Sequence, residues 1–422
     1  MYTYVKHFDI NTLMKAYQYR IEPNASQRVL LAKRFGCAWH IYNWALAQKN
    51  EHYEKTGKNL SRSELQRQIV ASKKTDKPWL AEVNSQSLLA ALLHLETAFQ
   101  NFFQGRSRFP RFKSKAMGWQ SFQCPQHVTI DFEKNRINLP KLKGIKARLH
   151  RSFQGQIKTV TIKRSPSGKY TASVLVDEQF VAPVPTTIEP EQTLGLDVGI
   201  QHFFTDSNGK KKDNPKFLRQ SLPRLRIAQK ILSRKKKGSY HRAKQKKRVA
   251  ILHEKVANQR YDFIQQLTAK LVSKNHATSF ALEDLHIKGM VKNRKLSRAI
   301  SDCGWGMFIS TLRYKCQWYG KNLLTIDRFA PSSKTCSQCG QKQEKMPLSL
   351  RVWQCDCGTT HDRDHNAAIM IKHFAFADAL GYSDCVKSSP MTKPVSAGVI
   401  AKGVVSNAAR VVRSPHDSGV AV

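Results

Sequence analysis

Four cysteines near the carboxyl end constrain the fold of this 422-residue chain more than any other feature. Cys336 and Cys339 form one close pair, and Cys355 and Cys357 form a second pair after a loop of fifteen residues. Two such pairs can surround one Zn²⁺ tetrahedrally, and four sulfur ligands leave no open position for water. The sequence therefore predicts one structural zinc ion, which folds a knuckle too small for a core of its own.

Three acids stand where metal binding is favoured. Asp197 ends the strand LGLDVG, Glu283 ends the strand FALEDL, and Asp364 lies just before or within the first turn of a helix. A carboxylate at the end of a buried strand is costly unless a cation balances it. Three converging carboxylates can hold two Mg²⁺ ions for the attack of water on a phosphodiester. Each acid also has a simpler explanation, as a turn cap, a partner of a lysine or a helix cap. Three neighbouring acids compete for the same role: Asp206, Asp284 and Asp362.

The charge of the chain points to a polyanionic partner. Lys and Arg number 71 against 30 Asp and Glu, a formal net charge of +41. A compact protein with this excess repels itself, and nucleic acid is the expected partner. Because 41% of the residues are hydrophobic, the chain is not a disordered basic tail. No secretory signal and no membrane span stand out, so we expect a cytoplasmic protein with no membrane partner. Nothing in the sequence requires an obligatory protein partner.

The hydrophobic pattern of the first half predicts a small barrel with a helical insertion. A strand over 15–22 precedes a helix that Asn24 and Gln27 can cap. Further helices are predicted over 62–72 and 84–104. Strands then fill 127–178, and the best pair flanks the turn Pro166-Ser167-Gly168. We expect an antiparallel β-barrel that the helices interrupt.

From residue 192 onward, strands alternate with helices, which is typical of an α/β domain. The predicted strands are TLGLDVGI, SFALEDL and NLLTIDRF. The predicted helices cover 224–236, 240–255, 258–275 and 305–319. After His373 the composition turns to small and polar residues, and we expect 380–422 to form a flexible tail.

Two basic segments are the candidate nucleic-acid contacts. In residues 105–122, cations alternate with aromatic side chains, a combination that binds phosphates and stacks bases. The alternative is a linker whose aromatic rings pack into a neighbouring core. The segment from Lys210 to Lys255 contains 18 Lys and Arg but only two acids, which favours a groove that binds nucleic acid. The alternative is a solvated helix face. The candidate contacts are Arg106, Arg108, Arg111, Lys113, Arg224, Arg234, Lys235, Lys236, Arg242 and Lys246.

Four motifs occur in the order TLGLDVGI, ALEDLHIKGM, DRFAPSSKTCSQCG and WQCDCGTTHDRDHNAA, and the weaker KAYQYRIEPNASQ and RFPRFKSK precede them. Together they resemble the TnpB (OrfB) family of insertion-sequence proteins, which is related to compact type V CRISPR effectors. The resemblance covers residues 14–372. It implies a prokaryotic RNA-guided endonuclease that cuts double-stranded DNA beside a short target-adjacent motif, with a guide RNA encoded at the transposon end. It assigns catalysis and Mg²⁺ binding to Asp197, Glu283 and Asp364, and zinc binding to the four cysteines.

The resemblance also implies a division of the chain into domains. A RuvC-like nuclease of the ribonuclease H fold carries an inserted zinc ribbon, and a wedge-like β-barrel carries a helical recognition domain. The implied ranges are 1–24 and 106–185 for the barrel, 25–105 for the helical domain, 186–330 and 358–379 for the nuclease, 331–357 for the ribbon and 380–422 for the tail.

The sequence departs from the family in three places. Thirteen residues precede Met14, where such proteins more usually begin, so Met1 and Met14 are alternative starts. The second cysteine pair is one residue shorter than the common form, and the tail is long. Two other functions stay open: a nuclease-inactive RNA-guided regulator and a transposase accessory protein. The intact acids favour the nuclease over both.

Overall fold

The computed structural model describes residues 12–114, 118–347 and 349–379. The predicted tail and the residues before Thr12 lie outside this range. The chain divides into two compact units. The first contains the residues up to Val181 together with 246–251, and the second contains the remainder. In the part of the chain that the structure describes, no helix is long and apolar enough to cross a membrane.

The first unit is built on a seven-stranded antiparallel sheet. Its strands are β1 (Thr12–Glu22), β2 (Gln120–Cys124), β3 (Thr129–Asp131), β4 (Arg136–Leu139), β5 (Leu142–Arg148), β6 (Gln156–Arg164) and β7 (Tyr170–Val181). The spatial order is β2-β6-β7-β1-β5-β4-β3, and β6 and β7 form the predicted hairpin. Among the described residues no ladder joins β2 to β3. The sheet is therefore a curled half-barrel, and the prediction of a closed barrel holds only in part.

Three α-helices follow β1 and precede β2: α1 (Ala25–Thr56), α2 (Arg62–Ser72) and α3 (Ser85–Phe103), with a 3₁₀ turn at Pro78–Glu82. The predicted capping box is present, since the Asn24 side chain accepts from the Gln27 amide at 2.8 Å and the Asn24 amide donates to Gln27 Oε1 at 3.0 Å. Phe35 of α1 packs edge-on against Phe122 of β2. The helices and the sheet thus share one hydrophobic core.

The second unit contains a mixed five-stranded sheet, formed by β8 (Thr193–Asp197), β9 (His202–Asp206), β10 (Lys211–Asp213), β11 (Ser279–Glu283) and β12 (Asn322–Ile326). The order is β10-β9-β8-β11-β12, in which β8, β11 and β12 are parallel and β9 and β10 are antiparallel to their neighbours. The central strands are buried on both faces, which explains their continuous apolar runs.

Helices cover both faces of this sheet. They are α4 (Phe217–Ser233), α5 (Tyr240–Ser273), α6 (Ile287–Met290), α7 (Ser297–Cys303), α8 (Trp305–Trp318) and α9 (Arg363–Ala379). Phe280 and Leu282 of β11 pack in a cluster with α5 and α8, whereas Ala281 packs with Ile371 of α9. This alternation follows the two-residue period of a strand.

Three predicted helices were wrong in their bounds. The helices predicted over 240–255 and 258–275 are one continuous helix, α5, because no proline or glycine interrupts the junction. Helix α4 begins at Phe217 rather than at 224 and contains Pro223. The last described elements before α9 are β13 (Val352–Gln354) and β14 (Thr360–Asp362), a two-stranded antiparallel ribbon that carries the second cysteine pair at its turn.

Candidate active site and metal centre

The three predicted acids meet at one edge of the five-stranded sheet. Asp197 is the last residue of β8 and Glu283 is the last residue of β11, and these strands are parallel neighbours. Asp364 lies in the first turn of α9, which packs against both strands. The pKa of Asp197 lies well above its usual value, first because the group is buried and next because of the charges of Glu283 and Asp364. Asp197 therefore lies close enough to both other carboxylates for their charges to oppose its ionisation.

Each of the other two acids has one defined partner. The Ser332 hydroxyl donates to Glu283 Oε1 at 2.6 Å, and burial outweighs this hydrogen bond in raising the pKa of Glu283. Arg351 Nη1 lies 3.3 Å from Asp364 Oδ1. The competing acids have other partners. Asp206 accepts from the turn amides of Asn208 and Lys210, while Asp284 and Asp362 form ion pairs with Arg328 and Lys211.

The four predicted cysteines form a compact zinc-binding group. All four sulfur atoms lie within 4.8 Å of one another. Cys336 Sγ is 3.8 Å from Cys357 Sγ, and Cys339 Sγ is 3.6 Å from Cys355 Sγ. With a Zn–S bond of about 2.3 Å, the edge of a tetrahedron measures about 3.8 Å. The sulfur atoms are thus spaced for one tetrahedral zinc ion, and the short second pair does not prevent this geometry.

The thiols differ in acidity before a metal binds. Hydrogen bonds from the Thr359 side chain and backbone lower the pKa of Cys357 to about 6, whereas burial raises the pKa of Cys355 to about 12. Among the described residues these four cysteines are the only cluster tight enough to share one ion.

Sequence reasoning missed three side chains that connect these groups. Ser332 contacts Glu283, His361 Nε2 lies 3.0 Å from Cys336 Sγ, and the amide of Asn366 contacts the backbone on both sides of Cys336. Ser332 lies in APSSKT and Asn366 in HNAA, so both stood inside recognised motifs. Their partners could not be identified from the motifs because the contacts join segments far apart in the chain.

Comparison with known proteins identifies the family. A "Putative RNA-guided DNA endonuclease" from Streptomyces pristinaespiralis is 38% identical over 84% of this chain and 87% of its own length. Part of the chain also matches the OrfB_IS605 family model. The chain belongs to the TnpB (OrfB) family of IS605-type transposon proteins. A second relative, the "Putative RNA-guided DNA endonuclease InsQ" of Escherichia coli (strain K12), is 32% identical over 84% of this chain and 90% of that protein.

Family models match three parts of this OrfB protein. Residues 171–294 match "Probable transposase", 305–371 match "Cas12f1-like, TNB domain" and 13–58 match "Helix-turn-helix domain". In the structure, residues 13–58 contain strand β1 and the single helix α1 rather than two helices around a turn. The solved Cas12f1–sgRNA–target DNA complex has a similar fold, with a TM-score of 0.54 and 14% identity over 86% of this chain and 99% of that one.

The first basic segment of this OrfB protein combines exposed cations with exposed rings. Arg106, Arg108 and Arg111 are exposed, and Lys113 Nζ lies 4.0 Å from the centre of the Tyr42 ring. Four phenylalanine rings contact one another beside them: Phe99, Phe102, Phe103 and Phe109. Phe103 is 78% exposed and Phe112 is 56% exposed, whereas Phe122 is buried in the core. The aromatic residues of this segment therefore divide between surface and core.

The second basic segment surrounds the turn between α4 and α5. Within the described ranges, five of its candidate contacts are exposed and form no ion pair: Arg224, Arg234, Lys235, Lys236 and Lys246. Arg242 differs from them. Its guanidinium donates to the carbonyl oxygens of Leu232 and Lys235, both at 2.8 Å, and so closes the end of α4. Arg242 thus has a structural role in addition to its charge.

Proposed function

We propose that this OrfB-family protein is an RNA-guided, Mg²⁺-dependent DNA endonuclease of an insertion sequence. It cuts double-stranded DNA that matches a transposon-encoded guide RNA and lies beside a short target-adjacent motif. The observation that carries the proposal is the meeting of Asp197, Glu283 and Asp364 at one sheet edge. The names of the relatives support the RNA-guided part, and a prokaryotic cytoplasm is the expected site of action.

The three acids fit a pair of Mg²⁺ ions. Carboxylate oxygens are the ligands that Mg²⁺ prefers. Burial, and next the charges of Glu283 and Asp364, raise the pKa of Asp197, and a divalent cation among the three carboxylates would offset both effects. Three carboxylates on separate elements supply enough oxygen ligands for two ions to share the site. When bound, such ions activate a water molecule and stabilise the leaving 3′ oxygen of the phosphodiester.

The residues around the acids prepare this site. Ser332 holds one oxygen of Glu283 by its hydrogen bond, so the other oxygen stays available for a cation. Arg351 contacts Asp364, and the charges of Arg363 and Arg351 partly offset the rise in the pKa of Asp197. Rigid strand ends and a helix start fix all three carboxylates before substrate arrives, which is the preorganisation that catalysis requires.

The remaining features support the finer domain assignment. The order β10-β9-β8-β11-β12 supports a RuvC-like nuclease over 186–330 and 358–379, interrupted by the zinc ribbon at 331–357. The curled sheet and its inserted helices support the wedge-like and recognition domains. We infer that the exposed cations of both basic segments bind the phosphates of guide RNA and target DNA, because such contacts position nucleic acid without reading its sequence.

A cleavage assay on plasmid DNA tests the proposal. The full chain, produced together with the RNA from its transposon end, should linearise a plasmid that carries the matched target beside the adjacent motif. Cleavage should require Mg²⁺, the RNA and the match, and the Asp197→Ala variant should bind the target without cutting it. Cleavage without RNA or by Asp197→Ala contradicts the proposal. Binding of the wild-type complex without cleavage in Mg²⁺ would instead favour the nuclease-inactive regulator.

A further inference from the structure

One short segment of chain, residues 332–337, links the zinc group to an acid of the proposed site. At its start, Ser332 is only 4% exposed, and its hydroxyl donates to Glu283 Oε1 at 2.6 Å. Four residues later, the fully buried Cys336 contributes a sulfur to the zinc group. A zinc ligand therefore anchors the segment whose first residue holds a carboxylate of the proposed nuclease site.

The side-chain amide of Asn366 fixes the other end of this segment. Asn366 is 1% exposed and lies two residues after Asp364 in the first turn of α9. The Ser337 amide donates to Asn366 Oδ1 at 3.0 Å, and Asn366 Nδ2 donates to the Thr335 carbonyl oxygen at 2.7 Å. Both partners adjoin Cys336. The first cysteine pair is thereby joined to the helix turn that carries Asp364.

The second cysteine pair reaches the same turn through the backbone. Cys355 and Cys357 stand at the turn between β13 and β14, and β14 continues directly into α9. The Arg363 amide also donates to the Arg351 carbonyl oxygen at 2.8 Å. Each half of the zinc group is therefore linked to an acid of the site, one half to Glu283 and both halves to the turn that contains Asp364.

We propose that zinc binding at the four cysteines positions Glu283 and Asp364 for binding divalent cations, with Ser332 and Asn366 as the positioning residues. The inference rests on the proposed function. Without zinc, residues 332–337 lose their anchor at Cys336. The hydrogen bonds of Ser332 to Glu283 and of Asn366 to the backbone are then weaker, because forming them has to order a segment with greater conformational freedom. The energetic coupling between two sites is reciprocal, so divalent cations at the acids should also tighten zinc binding by the same factor.

The test measures Mn²⁺ binding to the RNA-free full chain by electron paramagnetic resonance. Ser332→Ala should weaken Mn²⁺ binding about tenfold, the loss expected for one hydrogen bond to a charged group, and Ser332→Thr should restore it. Ser333→Ala is the matched control: the neighbouring serine, which has no side-chain hydrogen bond among the described residues, should bind Mn²⁺ like the wild type. Zinc content should stay at one ion per chain in all three variants. Zinc-depleted wild type should bind Mn²⁺ as weakly as Ser332→Ala.

Cleavage by the guide RNA complex gives the second readout. Ser332→Ala and Asn366→Ala should raise the Mg²⁺ concentration needed for half-maximal cleavage about tenfold, with a smaller effect on the rate at saturating Mg²⁺. If Asn366→Ala does not fold, the comparison of Ser332→Ala with Ser332→Thr and Ser333→Ala still tests whether Ser332 positions Glu283. Unchanged Mn²⁺ binding in folded Ser332→Ala would overturn the inference. The expected Mn²⁺ pattern in a chain that never cuts DNA would uphold the inference and refute only the proposed function.

Discussion

Gly195 of β8 lies directly against the backbone of Ala368 in α9. A Cβ atom on Gly195 would stand 2.0 Å from the Ala368 carbonyl oxygen and 2.9 Å from the Lys372 amide nitrogen. No side chain fits in this space, so helix and strand can approach closely only where glycine stands. This contact brings the first turn of α9, with Asp364, to the strand that ends in Asp197.

Gly195→Ala should therefore displace α9 and damage the site. We expect a loss of about 1–3 kcal/mol of unfolding free energy, the usual cost of overpacking, together with a loss of cleavage of at least tenfold. Gly306→Ala in α8 is the control, because a Cβ there meets only Ile287 Cδ1 at 3.5 Å, an ordinary contact. Thermal unfolding and plasmid cleavage measure both effects. An active Gly195→Ala variant of wild-type stability would contradict this packing.

Asp197→Asn should abolish cleavage but stabilise the protein when no divalent cation is added. Burial and two neighbouring carboxylates make the charged form of Asp197 unfavourable, as its raised pKa indicates, and an amide removes that charge. A gain of about 1 kcal/mol corresponds to roughly 2–4 °C in the melting temperature of a unit of this size. Added Mg²⁺ should reduce the difference, because it stabilises only the wild type. A lower melting temperature for the variant without Mg²⁺ would argue against a repulsive site.

Lys315 should make the stability of the protein depend on pH in the alkaline range. It is 9% exposed, its ammonium donates to Gln265 O at 2.7 Å and Thr268 Oγ1 at 2.9 Å, and burial lowers its pKa to about 8. Between about pH 8 and the ordinary lysine pKa of about 10.4, the unfolded chain binds one more proton than the folded chain. The wild type should therefore gain stability relative to Lys315→Met as the pH rises through this window, by up to about 3 kcal/mol.

Denaturant unfolding of both proteins at pH 7.5, 9 and 10 checks the sign. Because the two proteins contain the same other titratable groups, the difference between their free energies of unfolding reports the titration of Lys315. A constant difference across the window would mean that Lys315 keeps an ordinary pKa in the folded chain.

The turn between α4 and α5 should contribute to the salt dependence of nucleic-acid binding. Replacing Arg234, Lys235 and Lys236 together by alanine should lower the slope of log affinity against log salt by about 2–3, since each phosphate neutralised contributes roughly 0.7–0.9. Lys55→Ala is the control, because Lys55 already pairs with Glu51 at 2.7 Å. Binding of guide RNA between 50 and 400 mM salt gives the slopes. Equal slopes for the triple variant and the wild type would mean that these cations do not contact phosphate.

The sequence predicted those features whose signal lies in local spacing. The two cysteine pairs identified the zinc group, and the ends of two apolar runs identified Asp197 and Glu283 as neighbours at one sheet edge. The capping box at Asn24 correctly predicted the residue at which α1 begins. In each case the residues that interact are close in the chain, or the parallel pairing of strands follows from the strand–helix alternation.

The features that could not be predicted depend on distant contacts. The hydrogen bond from Ser332 to Glu283 joins residues 49 positions apart, and no pattern within either motif indicates it. Arg242 is a predicted nucleic-acid contact, and no pattern in the sequence indicates that its guanidinium also closes α4, because the bonds go to backbone carbonyl oxygens that any sequence supplies. The closure of the barrel likewise depended on whether β2 and β3 pair, which alternation of side chains does not determine.

Glu283, the last residue of β11, and Asp284, the residue after it, allow the most direct test of the proposed nuclease site. Glu283 accepts a hydrogen bond from Ser332 and its charge acts on Asp197, whereas Asp284, the next residue, forms an ion pair with Arg328. Glu283→Gln and Asp284→Asn each remove one charge from adjacent positions, so cleavage of a guide-matched plasmid in Mg²⁺ compares them directly. We expect that Glu283→Gln loses cleavage by at least a hundredfold while target binding persists, and that Asp284→Asn cuts like the wild type. Equal cleavage by Glu283→Gln and Asp284→Asn would contradict the role of Glu283 in the proposed nuclease site.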